Sequence, residues 1–189
     1  MDEPEGARTF AVTGKTYDNF MGRYSGPLAT LFADAAGVST GQRAVDVGCG
    51  PGALTSVLVE RLGADAVLAC DPSPPFVEEC ARRHPGVEVL PGRAEALPFA
   101  DRGCDAGLEN IEESTLRVSS TYRDFDELWD GFLAGVGPAG AYLVALPEER
   151  RAGLRDELWR QLDQPEGALT LGAVARCAVA HVPVDNTPG

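Results

Sequence analysis

The feature that most constrains this chain is a glycine-rich turn at residues 48–52, which lies between a strand pattern and a helix pattern. Residues 43–47 are mostly β-branched or small and apolar, apart from the carboxylate of Asp46, which is typical of a short buried strand. After the turn, apolar residues recur at helical spacing through 53–62, and Gly63 is a stop signal. A strand, a glycine turn and a helix in this order predict the start of a βαβ unit that holds a nucleotide-like ligand.

Two ligand patterns compete at the turn. Gly48 and Gly50 followed by Ala53 fit the dinucleotide fingerprint, whereas Gly48, Gly50 and Gly52 after Asp46 fit the pattern for S-adenosyl-L-methionine (SAM). A carboxylate so close to the turn would repel a pyrophosphate and attract the cationic sulfonium and amino groups of SAM. The residues therefore favour SAM over NAD, and a tight turn without any ligand is the third alternative.

A second acidic residue, Asp71, ends the next predicted strand at 66–70. An acid about 20 positions after the turn is placed to accept hydrogen bonds from both ribose hydroxyls. We expect its carboxylate to stand at the surface of the cleft. The alternative is that Asp71 only caps the helix that begins near Pro74.

Two further segments are candidate cofactor contacts. Residues 92–101 follow a third predicted strand at 87–90, and this loop would lie over the adenine with Leu97 packed on the ring. Near the start of the chain, Tyr17 and Arg23 are candidates from a lid helix. The alternative for these two is an apolar stripe for Tyr17 and a solvated face for Arg23.

Composition limits the classes of protein to which the chain can belong. Its 189 residues predict a single domain, and a net charge of -13 argues against a non-specific grip on nucleic-acid phosphates. No secretory signal is recognisable, and no apolar run approaches the ~18 residues that span a membrane. The five cysteines lack a C-x-x-C pair and predict small core residues in a reducing cytoplasm, with no metal site.

Taken together, the motifs resemble those of the class I SAM-dependent methyltransferases, in particular the small-molecule methyltransferase-domain proteins of bacteria. Residues 17–25 are similar to the family's N-terminal helix, 45–52 to its glycine motif, 70–74 to its ribose-binding turn and 93–101 to its adenine loop. The resemblance covers residues 14–106. It implies an α/β Rossmann-like fold, SAM as the cofactor and direct methyl transfer to a small molecule.

The resemblance also implies residue roles. The three glycines surround the methionine part of SAM, Asp71 holds the ribose, and Ala94 and Glu95 lie near the adenine. Arg93 stands where many family members carry an acidic residue, which places a direct side-chain bond to the adenine amino group in question. No catalytic residue and no metal ligand is assigned. The expected cofactor contacts are Tyr17, Arg23, Asp46, Gly48, Gly50, Gly52, Asp71, Pro72, Ala94, Glu95 and Leu97.

The family pattern breaks off after Ala106. Residues 107–118 resemble the approach to a late strand, so most of strand four, a helix, strand five and the next helix are absent, about 60 residues for two crossover units. We therefore expect a truncated or rearranged sheet. One domain, 1–189, would comprise an N-terminal helical segment (1–40), the cofactor-binding βαβ units (41–106) and C-terminal strands and helices (107–189).

Several local predictions accompany this scheme. Gly26-Pro27 should interrupt the first helix and leave a second piece at 28–36, and His84 should act as a partner for its helix C-terminal dipole. Residues 138–146 fit a helix or a strand, and the resemblance favours the helix. The other predicted elements are helices at 125–133 and 148–162 and a terminal strand formed by 168–171 and 174–182.

The sequence leaves three candidate functions, and the first two belong to different classes of protein. The first is a SAM-dependent methyltransferase acting on a small molecule in the cytoplasm. The second is a catalytically degenerate SAM-binding or interaction module, because the absent elements normally face the transferring methyl group. An NAD(P)-dependent oxidoreductase is the third candidate. The methyl acceptor and the oligomeric state are not determined by these residues.

Overall fold

The computed structural model describes residues 18–99 and 109–181, and helices and short strands alternate up to residue 91. A π-helical turn, Asp18–Gly22, leads into α1. The chain then forms α1 (Arg23–Ala35), β1 (Ala44–Val47), α2 (Ala53–Leu62), β2 (Val67–Asp71), α3 (Pro74–Arg83), β3 (Glu88–Pro91), β4 (Glu109–Tyr122), α4 (Phe125–Leu133), α5 (Gly137–Ala145), α6 (Glu148–Gln161) and β5 (Leu169–His181).

The first sheet is parallel, in the order β1-β2-β3. Helices α2 and α3 connect its strands, so this part of the chain has the βαβαβ arrangement of one half of a doubly wound fold. The apolar residues under these helices form one core, because alternate residues of β2 point to the same face. Its buried members are Cys49, Leu58, Val67, Ala69, Cys80 and Val87.

The opposite face of this sheet is thinly covered at β1. Val45 is 47% exposed and Val47 is 41% exposed, although the sequence of this strand is typical of a buried one. Strand β1 also pairs on one side only within the described residues, so its other edge is open. Parallel sheets normally have helices on both faces. A three-stranded sheet with a bare strand agrees with the expectation of a truncated α/β sheet.

The second sheet is an antiparallel hairpin of two long strands, β4 and β5. Its residues alternate between a packed and a solvated face: Leu116 and Tyr122 face inward, whereas Arg117 is exposed. Helices α4 to α6 pack against the base of the hairpin. The buried members of this second core are Tyr122, Phe125, Leu128, Trp129 and Leu143.

Two local expectations meet different outcomes. The predicted break at Gly26-Pro27 is wrong, since α1 runs without interruption from Arg23 to Ala35 with Pro27 inside it. Pro27 is the fifth residue of α1, so it removes only the bond to the Arg23 carbonyl while α1 still buries Ala29 and Ala33. The ambiguous segment 138–146 is helical, as favoured, within α5. Among the described helices, none is long and apolar enough to cross a membrane.

Candidate functional site

The carboxyl ends of the three parallel strands are joined by hydrogen bonds. The N–H groups of Gly48 and Cys49 both donate to the carbonyl of Cys70, at 2.8 and 3.0 Å. The N–H of Gly92, just after β3, donates to the carbonyl of Asp71 at 3.1 Å. The glycine turn, the end of β2 and the loop after β3 therefore form one unit at the edge where α/β proteins bind ligands.

Asp71 links these segments through its side chain. Its Oδ2 accepts a hydrogen bond from the Gly50 N–H at 2.9 Å, and its Oδ1 accepts one from the Ser73 N–H at 2.8 Å. The residue is only 6% exposed, which corrects the expectation of a carboxylate at the cleft surface. Both partners are backbone groups. A carboxylate offers about four acceptor positions, so the predicted ribose contact stays chemically open.

Asp46 is the buried acid at the base of the turn. Its Oδ2 accepts a hydrogen bond from the Thr55 hydroxyl at 2.7 Å, and Thr55 is itself fully buried in α2. Burial raises the pKa of Asp46, and the hydrogen bonds from Thr55 oppose this rise. A buried carboxylate is stabilised by an approaching cation, which gives this position a preference for a positively charged group.

The three glycines of the turn differ in their surroundings. All have positive φ, and a Cβ placed on Gly48 or Gly50 would meet no atom within 4 Å. At Gly52, by contrast, the Cβ would lie 2.7 Å from His84 Nε2 and 3.0 Å from Cys80 Sγ. Gly52 is thus required for packing under the turn, whereas Gly48 and Gly50 present bare backbone to open space.

That open space is part of a cavity of about 310 Å³ between the turn, α1 and the hairpin. Asp46 supplies a carboxylate on one side, and most of the remaining wall is apolar. The lining residues are Ser25, Leu28, Ala29 and Phe32 of α1, Asp46, Gly48, Cys49, Gly50 and Pro51 of the strand and turn, Ala53 and Leu54 of α2, and Leu116, Ala175 and Arg176 of the hairpin.

The other predicted contacts lie outside this wall. Pro72 is exposed directly after Asp71. Ala94, Glu95 and Leu97 are exposed on the loop after β3, where Arg93 and Ala96 form an isolated antiparallel bridge. Tyr17 lies outside the described residues. The adenine-loop residues thus form a surface next to the ligand edge, while Asp46, Gly48 and Gly50 line the cavity itself.

Arg23 has contacts other than the predicted one. Its Nη2 donates to Glu127 Oε1 at 2.8 Å, and its guanidinium lies 4.2 Å from the centre of the Tyr122 ring. Tyr24 next to it shares a 3.0 Å hydrogen bond between hydroxyl groups with Tyr122. A nearby carboxylate and an aromatic face hold Arg23 as a link between α1 and the second core rather than a wall of the cavity.

His84 also differs from its predicted role. Its Nε2 lies 3.2 Å from both the Ser56 hydroxyl and the Gly52 carbonyl, so the ring reaches across to the start of α2. The His84 backbone still ends α3, because its N–H donates to the Cys80 carbonyl. The ring therefore supports the glycine turn from below rather than the C-terminus of its own helix.

Sequence reasoning missed the α1 and hairpin walls of the cavity. Leu28 and Phe32 are four residues apart on α1, and this helical spacing was a usable signal for a shared face. Leu116 and Ala175 are brought together by the register of the hairpin, in which they are direct partners. Nothing local in the sequence links that pair to the glycine turn. Within the described residues, no group of acidic, histidine or cysteine side chains could hold a metal ion.

Comparison with known proteins identifies relatives for the segment that contains the site. A family model described as a methyltransferase domain matches residues 44–121. The chain is 31% identical over 110 residues to a trans-aconitate 2-methyltransferase of Rhizobium leguminosarum, a match that covers 57% of this chain and 39% of that protein. It is 39% identical over 98 residues to a demethylmenaquinone methyltransferase of Renibacterium salmoninarum, which covers 49% and 40%.

Another relative matches over a longer stretch. The chain is 33% identical over 153 residues to a fatty-acid O-methyltransferase of Mycolicibacterium smegmatis, covering 76% of this chain and 53% of that protein. The chain therefore spans roughly two fifths to one half of the length of these relatives. The residues that the family model matches include the glycine turn and the end of β2.

Proposed function

We propose that the protein is a SAM-dependent methyltransferase acting on a small molecule, because residues 44–121 match a family model described as a methyltransferase domain. The observation that carries the proposal is the direct bonding of the three motifs at one sheet edge. The Gly50 N–H binds the Asp71 carboxylate, and the Asp71 carbonyl binds the Gly92 N–H.

The cavity supports this proposal by its fit to the cofactor. Gly48 and Gly50 leave open space where a ligand could approach the backbone, and Asp46 offers a buried carboxylate to a cationic group. We assign the methionine part of SAM to this end, the ribose to Asp71 and the adenine to the loop with Leu97. The exposed side chains of that loop are available for such a contact.

The chemistry proposed is direct displacement. When bound, SAM would supply an electrophilic methyl group on a sulfonium for transfer to an oxygen, nitrogen or carbon of the acceptor. The chain's own residues bind and orient the reactants: Asp46 attracts positive charge, and the apolar wall of Leu28, Phe32 and Leu116 excludes water. Alignment of this kind accounts for much of the rate in such reactions, so no general base is assigned.

The partners proposed are small molecules. The three relatives are named for trans-aconitate, demethylmenaquinone and fatty acids, all of them small molecules. A net charge of -13 disfavours nucleic-acid phosphates as a binding surface. We also propose a cytoplasmic location without membrane attachment, in keeping with four described cysteines that are all buried as thiols.

The bare strand β1 favours a second candidate, a SAM-binding module without efficient catalysis. Val45 and Val47 are exposed beside an open strand edge, where further elements would cover them in a complete sheet. A misplacement of about 1 Å in the reacting groups costs roughly a hundredfold in rate. This protein would retain the cofactor end of the site and lack part of the acceptor end.

Calorimetric titration of the folded chain with SAM, S-adenosylhomocysteine and NAD tests the proposal. We expect the two adenosyl ligands to bind and NAD not to bind. Binding of NAD alone would overturn it. An acceptor screen that measures release of S-adenosylhomocysteine then separates the two candidates. Repeated turnover that Gly50→Val abolishes supports the enzyme, and tight binding with no turnover on any acceptor supports the module.

A further inference from the structure

The α1 side of the cavity contains a hydroxyl group without a partner. Ser25 lines the cavity, and its Oγ is buried from solvent yet forms no hydrogen bond. The neighbouring wall residues of the same helix, Leu28 and Phe32, have apolar side chains. Most buried polar groups in proteins are hydrogen-bonded, because leaving one unpaired is unfavourable. The Ser25 hydroxyl therefore contributes no hydrogen bond to the fold and is available to a ligand in the cavity.

The hairpin side of the cavity contains a cation. Arg176 of β5 lines the cavity next to Ala175, whose direct partner on β4, Leu116, lines it as well. Among the described residues, Arg176 has no hydrogen bond, ion pair or ring contact. The chain has 29 acidic side chains for 16 basic ones, so an arginine without an acidic partner is unexpected. Because Arg176 is exposed, it stands at the mouth of the cavity.

The cavity thus has opposite charges on two different elements. Among the described residues, Asp46 beside the glycine turn and Arg176 on the hairpin are the charged members of its wall. An anionic group is repelled by Asp46 and attracted to Arg176. A guanidinium can donate two parallel hydrogen bonds to a carboxylate, and a serine hydroxyl adds a further donor. The apolar side chains of Leu28, Phe32 and Leu116 suit the hydrocarbon body of such a ligand.

We propose that Ser25 and Arg176 bind a carboxylate, and that the ligand on the hairpin side of the cavity is a carboxylic acid with an apolar body. This ligand is the methyl acceptor, an identification that rests on the proposed function. Ser25 and Arg176 are then specificity-determining residues. They select the acid over a neutral molecule of the same shape, and they hold it on the hairpin side while the cofactor occupies the turn side.

The proposed cofactor has a carboxylate of its own, on its methionine part. The start of α2 offers that group a separate place, because Ala53 and Leu54 are the first residues of this helix and both line the cavity beside the turn. The first N–H groups of a helix have no partner inside the helix and attract anionic groups. The methionine carboxylate therefore has donors on the turn side, which leaves Ser25 and Arg176 to the acceptor.

The test compares acids with neutral molecules of the same shape. Octanoate, cinnamate and adipate are each titrated, beside the corresponding amide, into the full chain saturated with S-adenosylhomocysteine, and calorimetry measures the affinities. We expect at least one acid to bind about tenfold more tightly than its amide, because only the acid forms charge-assisted hydrogen bonds with Arg176. Each binding ligand should also raise the midpoint of thermal unfolding.

Two variants with matched controls locate the preference for the acid. Arg176→Gln should weaken binding of the acid about tenfold and leave binding of the amide unchanged. Arg117→Gln removes the same charge from an exposed position on β4 outside the cavity wall, so it should keep the preference. Ser25→Ala should weaken acid binding about fivefold without lowering the midpoint of thermal unfolding, because the lost hydroxyl is unpaired in the fold. Ser119→Ala, at an exposed serine of β4, should bind as the parent does.

Three results would overturn the inference. They are equal affinities of the parent protein for every acid and its amide, a preference for the acid that persists in Arg176→Gln, and a loss of S-adenosylhomocysteine affinity in Arg176→Gln as large as the loss for the acid. The last result would assign the guanidinium to the carboxylate of the cofactor. If the parent protein fails to bind S-adenosylhomocysteine, the proposed function fails by itself. The same acids and amides are therefore also titrated without cofactor, where the preference and its loss in Arg176→Gln still decide whether this carboxylate site exists.

Discussion

The parallel sheet and the antiparallel hairpin bury their apolar residues in different ways. Strands β1 to β3 are four or five residues long, and their sheet needs cover on both faces. Strands β4 and β5 are 14 and 13 residues long and need cover on one face only. The hairpin obtains that cover from α1 and the C-terminal helices, whereas Val45 and Val47 of β1 stay exposed.

This difference shows where function and where stability are concentrated. Asp46 and Asp71 lie in the short strands and Gly50 in the turn after β1, and their hydrogen bonds hold together the edge at which we propose that the ligand binds. The hairpin unit contains the core with buried aromatic side chains, among them Phe125 and Trp129. We therefore expect changes in the hairpin unit to act mainly on folding, and changes in the sheet to act on both folding and binding.

The largest expected effect tests the second core. Trp129→Ala removes a side chain that is 8% exposed, so it should lower the free energy of unfolding by about 4 kcal/mol. Urea unfolding measures the loss, and hydrogen exchange should show weaker protection of β4 and β5 than of β2. Trp159→Ala is the control, since Trp159 is 36% exposed and should cost less than about 1 kcal/mol. Equal losses in the two variants would contradict the assignment of this core.

The next effect tests the packing under the glycine turn. Gly52→Val places a Cβ 2.7 Å from His84 Nε2 at a φ of +97°, and we expect a cost of about 3 kcal/mol from strain and overpacking. Thermal unfolding measures it. Gly172→Val is the matched change in the hairpin, where the nearest atom is the Val118 carbonyl oxygen at 3.9 Å. A Gly52→Val protein as stable as Gly172→Val would show that the turn tolerates a side chain.

A smaller effect is expected at the end of β2. Asp71→Ala leaves the N–H groups of Gly50 and Ser73 without their acceptor, so we expect a loss of about 2 kcal/mol together with weaker binding of S-adenosylhomocysteine. Asp124→Ala is the control in the other region. It removes the cap whose Oδ1 accepts from the Glu127 N–H, at a cost of about 1 kcal/mol and with no effect on binding. Unchanged affinity in Asp71→Ala would remove Asp71 from the proposed site.

The smallest effect concerns the ion pair that joins α1 to α4. Hydrogen bonds from Arg23 and Arg123 lower the pKa of Glu127 to about 2, against 4.5 in the unfolded chain. A lowered carboxyl pKa stabilises the fold above pH 4.5, and this contribution is lost as the pH falls from 4.5 to about 2. Asp46 acts in the opposite direction, because its raised pKa favours the fold in acid and that benefit fades as the pH rises above 3.8.

Acid unfolding of Glu127→Gln measures the pH-dependent stability that Glu127 contributes. Its stability should differ from that of the parent protein at pH 6 and converge with it towards pH 2. Glu149→Gln, at an exposed glutamate of α6, is the control and should change the stability at pH 6 by less than about 0.5 kcal/mol. Curves for Glu127→Gln and the parent that stay parallel down to pH 2 would show that Arg23 contributes no charge-dependent stability.

Local patterns in the sequence predicted a large part of the sheet region. The short β-branched and apolar run at 43–47, the helical spacing of 53–62 and the acid at Asp71 each depend on neighbours within a few residues, and β1, α2 and β2 lie where these patterns indicated. The family resemblance added the helical choice at 138–146. The break at Gly26-Pro27 failed for a tertiary reason, since burial of Ala29 and Ala33 outweighs one missing hydrogen bond.

By itself, the sequence determined which residue types stand at the turns: glycines with positive φ at 48, 50 and 52, and acids at the ends of two strands. Tertiary structure alone decided what those residues touch. Asp71 is buried and accepts hydrogen bonds from Gly50 and Ser73. Arg23 donates a hydrogen bond to Glu127, and Leu116 lines the cavity together with Leu28. These contacts join residues far apart in the chain, and their energies depend on distance and burial, which no local spacing contains.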